Sequence, residues 1–226
     1  MSQSMLPEGL EAQLQAGLDE LGIVTDAATV GTLVDYVALL NKWNKAFNLT
    51  AVRHPADMVS RHLLDSLSVL PWVKGPRLLD VGAGPGLPGI VLAILRPDIE
   101  VTLLDSNGKK VRFQRQAVLE LGLANVFPVH SRIEEFVDEQ GFDQIISRAF
   151  ASVDTFVELT RSQLHPQGEW LAMMGRIDSS LDIPDDIQEQ QRIELKVPGE
   201  SAARHLVRFA PKAATKAKAT IQGKED

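Results

Sequence analysis

The run Asp80-Val81-Gly82-Ala83-Gly84-Pro85-Gly86-Leu87-Pro88-Gly89, with Asp105 25 residues after its first acid, has the residue types and spacing to hold a nucleoside. A glycine-rich loop between a strand and a helix lets backbone approach a ligand and aims helix-start N–H groups at it. A lone G-x-G would describe a tight turn under a packed helix equally well. Here an acid precedes the loop and a second ends the following strand, where its carboxylate can accept hydrogen bonds from two ribose hydroxyls. Asp80 would repel the pyrophosphate of a dinucleotide such as NAD. It suits the cationic methionine end of S-adenosyl-L-methionine, directly or through the network that holds the ammonium. The balance favours the methyl donor, with Gly82, Ala83, Gly84, Pro85, Gly86, Asp105 and Ser106 around it. A Walker A loop is excluded, because no Gly-Lys-Ser/Thr follows the glycines.

Two further strand ends carry candidates. Ser131-Arg132-Ile133-Glu134 follows the third strand, with Ile133 available to pack on an adenine and Glu134 to hydrogen-bond it. Ser131 and Glu134 also have the spacing of a helix capping box, and both roles can hold together. Ser147-Arg148-Ala149-Phe150 ends the fourth strand. Arg148 there is either a structural partner for an acid or a substrate clamp, and its place at the carboxyl edge favours the clamp.

The elements needed to position these residues are legible as periodicity. Leu10, Leu14, Leu18 and Leu21 mark one amphipathic helix over residues 7–21. Leu33, Tyr36, Val37, Leu40, Trp43 and Phe47 mark a second, with Thr29 or Thr32 as cap, and Trp43 belongs to its packed stripe. Met58–Leu70, closed by Pro71, is a third. Strands follow at Arg77–Val81, Val101–Asp105, Asn125–His130, Gln144–Ser147 and Glu169–Met174, with helices through Leu95 and over Lys109–Leu121 between the first three. This alternation predicts an α/β, Rossmann-like, mostly parallel sheet with a helical N-terminal extension. Arg192–Val197 and His205–Phe209 predict an antiparallel hairpin at the sheet edge. The expected divisions are residues 1–74, 75–210 and a loose basic tail at 211–226.

Composition narrows the chemistry. The 226 residues contain no cysteine, which excludes disulfides, thiolate-held zinc and cysteine nucleophiles, and no metal is expected. The longest apolar run, Ile90–Leu95, is too short to span a bilayer, and the first ten residues lack the pattern of a signal peptide. A cytoplasmic protein is expected. Net charge is −7, but its distribution is uneven: residues 1–40 hold six acids and no Lys or Arg, and residues 41–77 hold six bases and two acids. Residues 201–224 add six bases and no acid. Basic runs are often ordinary solvated faces, yet local patches bind phosphates on acidic proteins.

The combination of segments closely resembles the bacterial 16S rRNA guanine-N7 methyltransferases, the glucose-inhibited division protein B family. The matching segments are Lys42-Trp43-Asn44-Lys45, Asn48-Leu49-Thr50-Ala51, Arg61-His62 with Leu64-Asp65-Ser66, the glycine run, Leu103-Leu104-Asp105-Ser106, Ser131-Arg132-Ile133-Glu134, Ser147-Arg148-Ala149-Phe150 and Arg204-His205-Leu206-Val207. The resemblance implies methylation at N7 of a guanine in the 530 loop of 16S rRNA, a modification whose loss is associated with low-level streptomycin resistance. Lys42, Lys45, Asn48, Arg53, Arg61, His62, Arg176, Arg204 and His205 are the RNA contacts it implies, and Arg148 the residue at the reaction centre and beside the donor. One departure is Met174, where the family usually has lysine; Arg176 supplies a charge two residues later.

Guanine N7 has an exposed lone pair and needs no deprotonation, so orientation and desolvation are the required tasks. The absence of cysteine excludes cytosine-C5 methylation through a covalent adduct, and the Asn/Asp-Pro-Pro-aromatic motif of many adenine-N6 enzymes is missing. His62 can equally be a neutral histidine bonded to Asp65. A small-molecule methyltransferase would have a closed apolar substrate cavity, and an inert RNA-associated protein would not bind the donor. The partner expected is 16S rRNA within the small ribosomal subunit or its precursor, met by a monomer.

Overall fold

The computed structural model describes residues 8–148, 150, 152–177 and 181–212. The expected tail beyond residue 212 and the start of the first helix at Pro7 lie outside them. Helices α1 (Leu10–Glu20) and α2 (Ala27–Phe47) open the chain. Asp26 caps α2, accepting from the Thr29 amide at 2.8 Å, so the cap lies upstream of the two threonines expected from sequence. Its carboxylate offers an acceptor to an orphan N–H, whereas Thr32 donates back to the Ala28 carbonyl within the helix.

The third helix begins earlier than periodicity predicts and is not uniform. It runs as α3 (Pro55–Met58), a π-helical segment Val59–Leu64 and α4 (Asp65–Leu67). Pro71 sits inside a short 3-10 turn, Leu70–Trp72, because its fixed φ suits a first helical turn. The remaining elements are β1 (Arg77–Val81), α5 (Gly89–Leu95), β2 (Glu100–Asp105), α6 (Gly108–Leu121), β3 (Val126–His130), β4 (Phe142–Ser147), α7 (Val153–Thr160), β5 (Leu164–Met174), β6 (Ile187–Leu195) and β7 (Arg204–Pro211). Helix α7, capped by Ser152, has no counterpart in the sequence reading. The capping box at Ser131 does not form. Ile133–Glu135 is a single 3-10 turn without a side-chain cap, and the Ser131 hydroxyl bonds the Arg132 carbonyl instead.

Among the described residues seven strands lie in the order β3-β2-β1-β4-β5-β7-β6. The first five are parallel, while β7 runs antiparallel to both β5 and β6. Strand order reverses between β1 and β4, which opens a crevice at their carboxyl ends. The Ser147 hydroxyl ties that point to the Val81 carbonyl at 2.9 Å.

One apolar cluster joins Leu14 and Leu18 of α1, Leu33 and Leu40 of α2, and Ile90 and Leu92 of α5 to Leu78, Leu103 and Leu171 of the sheet. Each fully buried leucine contributes about 1.5–3 kcal/mol. The helical N-terminal part is thereby packed onto one sheet face. Trp43 lies in this packing, with its ring 5.8 Å from that of Phe113 on α6. The opposite face packs Phe156 of α7 and Trp170 of β5 with Phe142 and Phe209. Among the described residues no helix is long and apolar enough to cross a membrane.

Candidate functional site

The glycine run turns from β1 into α5 as expected, but most of it is covered. Gly82 is exposed, while Ala83, Gly84, Pro85 and Gly86 are buried. Gly82 and Gly84 have φ of 70° and 60°, a region that strains other side chains. Gly89 serves a different need: a Cβ there would lie 2.3 Å from Leu103 Cδ2 and 2.8 Å from Asp80 Oδ2, so its absence seats α5 on the sheet.

Four side chains pin the loop. The Gly84 amide donates to Asp105 Oδ2 at 2.8 Å, and Gln114 Nε2 donates to the Gly84 carbonyl at 2.8 Å. Tyr36, on α2, donates to the Pro85 carbonyl at 3.0 Å. Burial holds its phenol well above the ordinary range, so it stays a donor. Asp80 accepts from the Gly89 amide at 2.8 Å. Its other oxygen is buried with no hydrogen-bond partner among the described residues. Burial pushes this carboxyl up to about 7, against the opposing pull of the Gly89 amide and the Arg148 charge. A cation brought near would favour its ionised form. Of the two roles expected for Asp80, direct or through the network that holds the ammonium, its full burial beneath the loop fits the second.

A cleft of about 380 Å³ opens above this loop, between Gly82, Asp105, Ser106, Ile133, Glu134 and Phe150. Lys110 and Arg132 also line it, and the Lys110 ammonium is 3.9 Å from Asp105 Oδ2. The structure therefore brings the ends of β1, β2 and β3 to one place, as their spacing predicts. Asp105 Oδ1 accepts from the Asn107 amide at 2.7 Å, and each of its oxygens retains a further lone pair for a ribose hydroxyl.

A second cleft of about 260 Å³ lies beyond β4, lined by Arg61, His62, Asp65, Arg148, Arg204 and His205, with Val52, Leu195 and Met173–Gly175 completing it. Asp65 organises it. The carboxylate is buried, and accepts from Arg204 Nε at 3.1 Å and from Arg148 Nη1 at 3.3 Å. Arg148 Nη1 also reaches the Arg61 carbonyl at 3.3 Å. Of the two readings of Arg148, the pairing with an acid is the one observed, and it fixes the side chain facing the cleft. It lines this cleft rather than the one over the glycine loop, while its charge still acts on Asp80 and Tyr36, which hold that loop. Phe150, two residues on, lines the cleft over the glycine loop.

His62 departs from expectation in another way. It is 4% exposed, too covered to meet an RNA phosphate. Its Nε2 takes a hydrogen bond from the Thr50 hydroxyl at 2.9 Å and its Nδ1 donates to the Arg61 carbonyl at 3.0 Å, so its partner is Thr50 and not Asp65. Burial, then the Arg148 charge, bring it down to about 4, and the ring is neutral. Asn48 ends α2 in the left-handed conformation at φ 50°. Asn44, named from sequence only as part of a family segment, is buried and braces the loop after it, donating to the Val52 carbonyl and accepting from the Thr50 amide, each at 2.9 Å. Lys42, Lys45, Arg53 and Arg61 are exposed, and Arg176 is exposed beside the second cleft. Arg208, within the basic run of residues 201–224, is instead paired to Glu169 at 2.6 Å. The clues to Tyr36 and Gln114 are polar groups on otherwise packed helix faces.

The arrangement pairs a nucleoside-sized cleft with an arginine-lined one along the carboxyl edge of a single sheet. Similar folds occur in a SAM-dependent methyltransferase from Aquifex aeolicus (TM-score 0.51, 17% identity, 65% of this chain and 90% of that one). Another is a SAM-dependent methyltransferase from Geobacter sulfurreducens, solved with S-adenosyl-L-homocysteine (TM-score 0.50, 14% identity, 66% and 90%). At the sequence level the model of the GidB family, rRNA small subunit methyltransferase G, matches residues 30–207. The Ribosomal RNA small subunit methyltransferase G of Chromohalobacter salexigens is 62% identical over 88% of this chain and 96% of its own. Its namesake from Laribacter hongkongensis is 51% identical over 88% and 98%. The chain belongs to the rRNA small subunit methyltransferase G family.

Proposed function

We propose that this protein transfers a methyl group from S-adenosyl-L-methionine to N7 of a guanine in the 530 loop of 16S rRNA. The observation that carries the reading is the adjacency of the two clefts, with Arg148 lining one and Phe150 the other. Family membership supports small-subunit rRNA as the substrate, and the resemblance noted from sequence supports the guanine N7 position.

The donor supplies an electrophilic methyl on a sulfonium. Asp105 holds the ribose, and Ile133 and Glu134 flank the adenine. Asp80, buried beneath the loop, acts on a cationic group above it through the loop rather than by direct contact. Arg148 and Arg204, held by Asp65, orient the guanine through O6 or hold a neighbouring phosphate. Neither acts as a base, since a guanidinium stays charged. Neutral His62 and Val52 form cleft wall, which excludes water from the acceptor without competing for the methyl group. The rRNA substrate supports a cytoplasmic site of action.

The test supplies labelled donor to small subunits that lack the modification and maps the product. N7-methylguanine in the 530 loop is the expected result. Label at another base, or none with a donor-binding protein, rejects the assignment.

A further inference from the structure

We propose that the face formed by the start of α6 and the end of β3 is a second phosphate-binding surface for the substrate RNA. It lies on the flank of the donor cleft away from Arg148, and its main groups are Arg112 and Arg115 beside His130. The inference rests on the small-subunit rRNA reading above and adds a docking surface that this reading does not use.

Residues 108–119 contain four bases and no acid. In α6 the buried positions are Val111, Phe113, Gln114 and Ala117, which turns Arg112 and Arg115 outward together. Their surroundings separate them from the protein's structural arginines. Arg77, Arg96, Arg161, Arg192 and Arg208 each have a carboxylate at 2.6–2.9 Å. Arg112 and Arg115 have none among the described residues. The single acid of α6, Glu120, is engaged by Gln116 at 2.6 Å. An exposed guanidinium without a carboxylate keeps its planar set of donors for phosphate oxygens.

A hollow of about 280 Å³ lies between these two arginines, Gly108, Val111 and His130. His130 Nε2 donates to the Ser106 carbonyl at 3.1 Å, which holds the ring in the hollow's wall. A Cβ on Gly108 would lie 3.3 Å from that ring, so the glycine permits the close approach.

Position along the sheet supplies the remaining argument. Strand β3 is at one edge, and β5, beside the arginine-lined cleft, is four places along. At about 4.8 Å per strand the two lie roughly 19 Å apart, with the donor cleft between them. Arg61, Arg148 and Arg204 at the arginine-lined cleft alone would leave a docked RNA free to pivot about its guanine. Phosphate contacts on both flanks would set its register and orientation.

The experiment measures binding of small-subunit rRNA across a salt series for the parent and for Arg112→Gln/Arg115→Gln, with circular dichroism on each. Two lost phosphate contacts should lower the magnitude of the log-affinity against log-salt slope by about 1.4–1.8. Affinity should fall about tenfold while donor affinity by calorimetry stays at the parental value. The pair Arg112→Lys/Arg115→Lys should keep the parental slope. The pair Arg161→Gln/Arg192→Gln, which removes the same two charges elsewhere, controls for net charge. A parental slope in the Arg112/Arg115 glutamine pair, or a change no larger than that of the control pair, overturns the inference and leaves the function reading standing. A parent that binds no small-subunit rRNA overturns both.

Discussion

Asp105 does two things with one carboxylate. It fastens the glycine loop through the Gly84 amide and, on our reading, accepts the donor's ribose hydroxyls. Those added bonds are charge-assisted, roughly 1.5–3 kcal/mol each before solvent competition. Asp105→Ala should therefore weaken donor binding at least tenfold in a calorimetric titration, and a folded variant with parental affinity removes Asp105 from the ribose. Arg148 faces the other cleft, held by Asp65 at 3.3 Å. Arg148→Ala should slow single-turnover methylation at least tenfold, about 1.4 kcal/mol of transition-state stabilisation, with a smaller change in donor affinity. A near-parental rate rejects that role. If loss of donor binding accounts for the whole rate defect, Arg148 belongs to the donor network after all.

The element with most consequence for the second cleft is the π-helical segment Val59–Leu64. A π turn holds more residues than an α turn and often marks a functional site. Here it presents the Arg61 carbonyl to Arg148 and buries His62 against Thr50. His62 is held down to about 4 from its ordinary 6.5. The unfolded chain takes up a proton below about 6.5 while the folded protein resists until about 4, so folding stability drops as pH falls through that window. The drop between pH 7 and pH 5 should be about 2 kcal/mol from this group. His62→Gln cannot titrate, so denaturant unfolding should show its stability falling less than the parent's over the same interval. Parallel pH profiles would mean that the ring is not held neutral by the fold.

At the scale of the whole molecule, an acidic protein of net charge −7 presents exposed cations around its clefts and neutralises others in ion pairs elsewhere. Lys42 and Lys45 project from α2, whose other side supplies Tyr36 to the donor loop. Neutralising Lys42, Lys45 and Arg61 together should weaken small-subunit binding while leaving donor binding intact. If all three touch phosphates, the salt slope should fall by roughly 2–3 in magnitude. An unchanged slope in a folded variant makes this an ordinary solvated face and moves the RNA footprint elsewhere.

The sheet and the cleft over the glycine loop were legible because they depend on local pattern. Apolar runs at Arg77–Val81 and Glu100–Asp105, a glycine turn and an acid at each strand end sit close enough in sequence to be read as one unit. The family motifs named Arg61, His62, Asp65, Arg148 and Arg204 without saying how they meet. Arg148 and Asp65 are 83 residues apart, and Arg204 and Asp65 are 139 apart. Their joining depends on β7 pairing antiparallel to β5 and on the N-terminal helices packing against the sheet. Burial likewise belongs to packing, which is why His62 and Asp80 could be named from sequence as polar candidates while their covered positions could not. The missed caps and the π segment have a related cause. Hydrogen bonds at helix ends are chosen among several side chains of similar energy, and the surrounding packing decides which one forms.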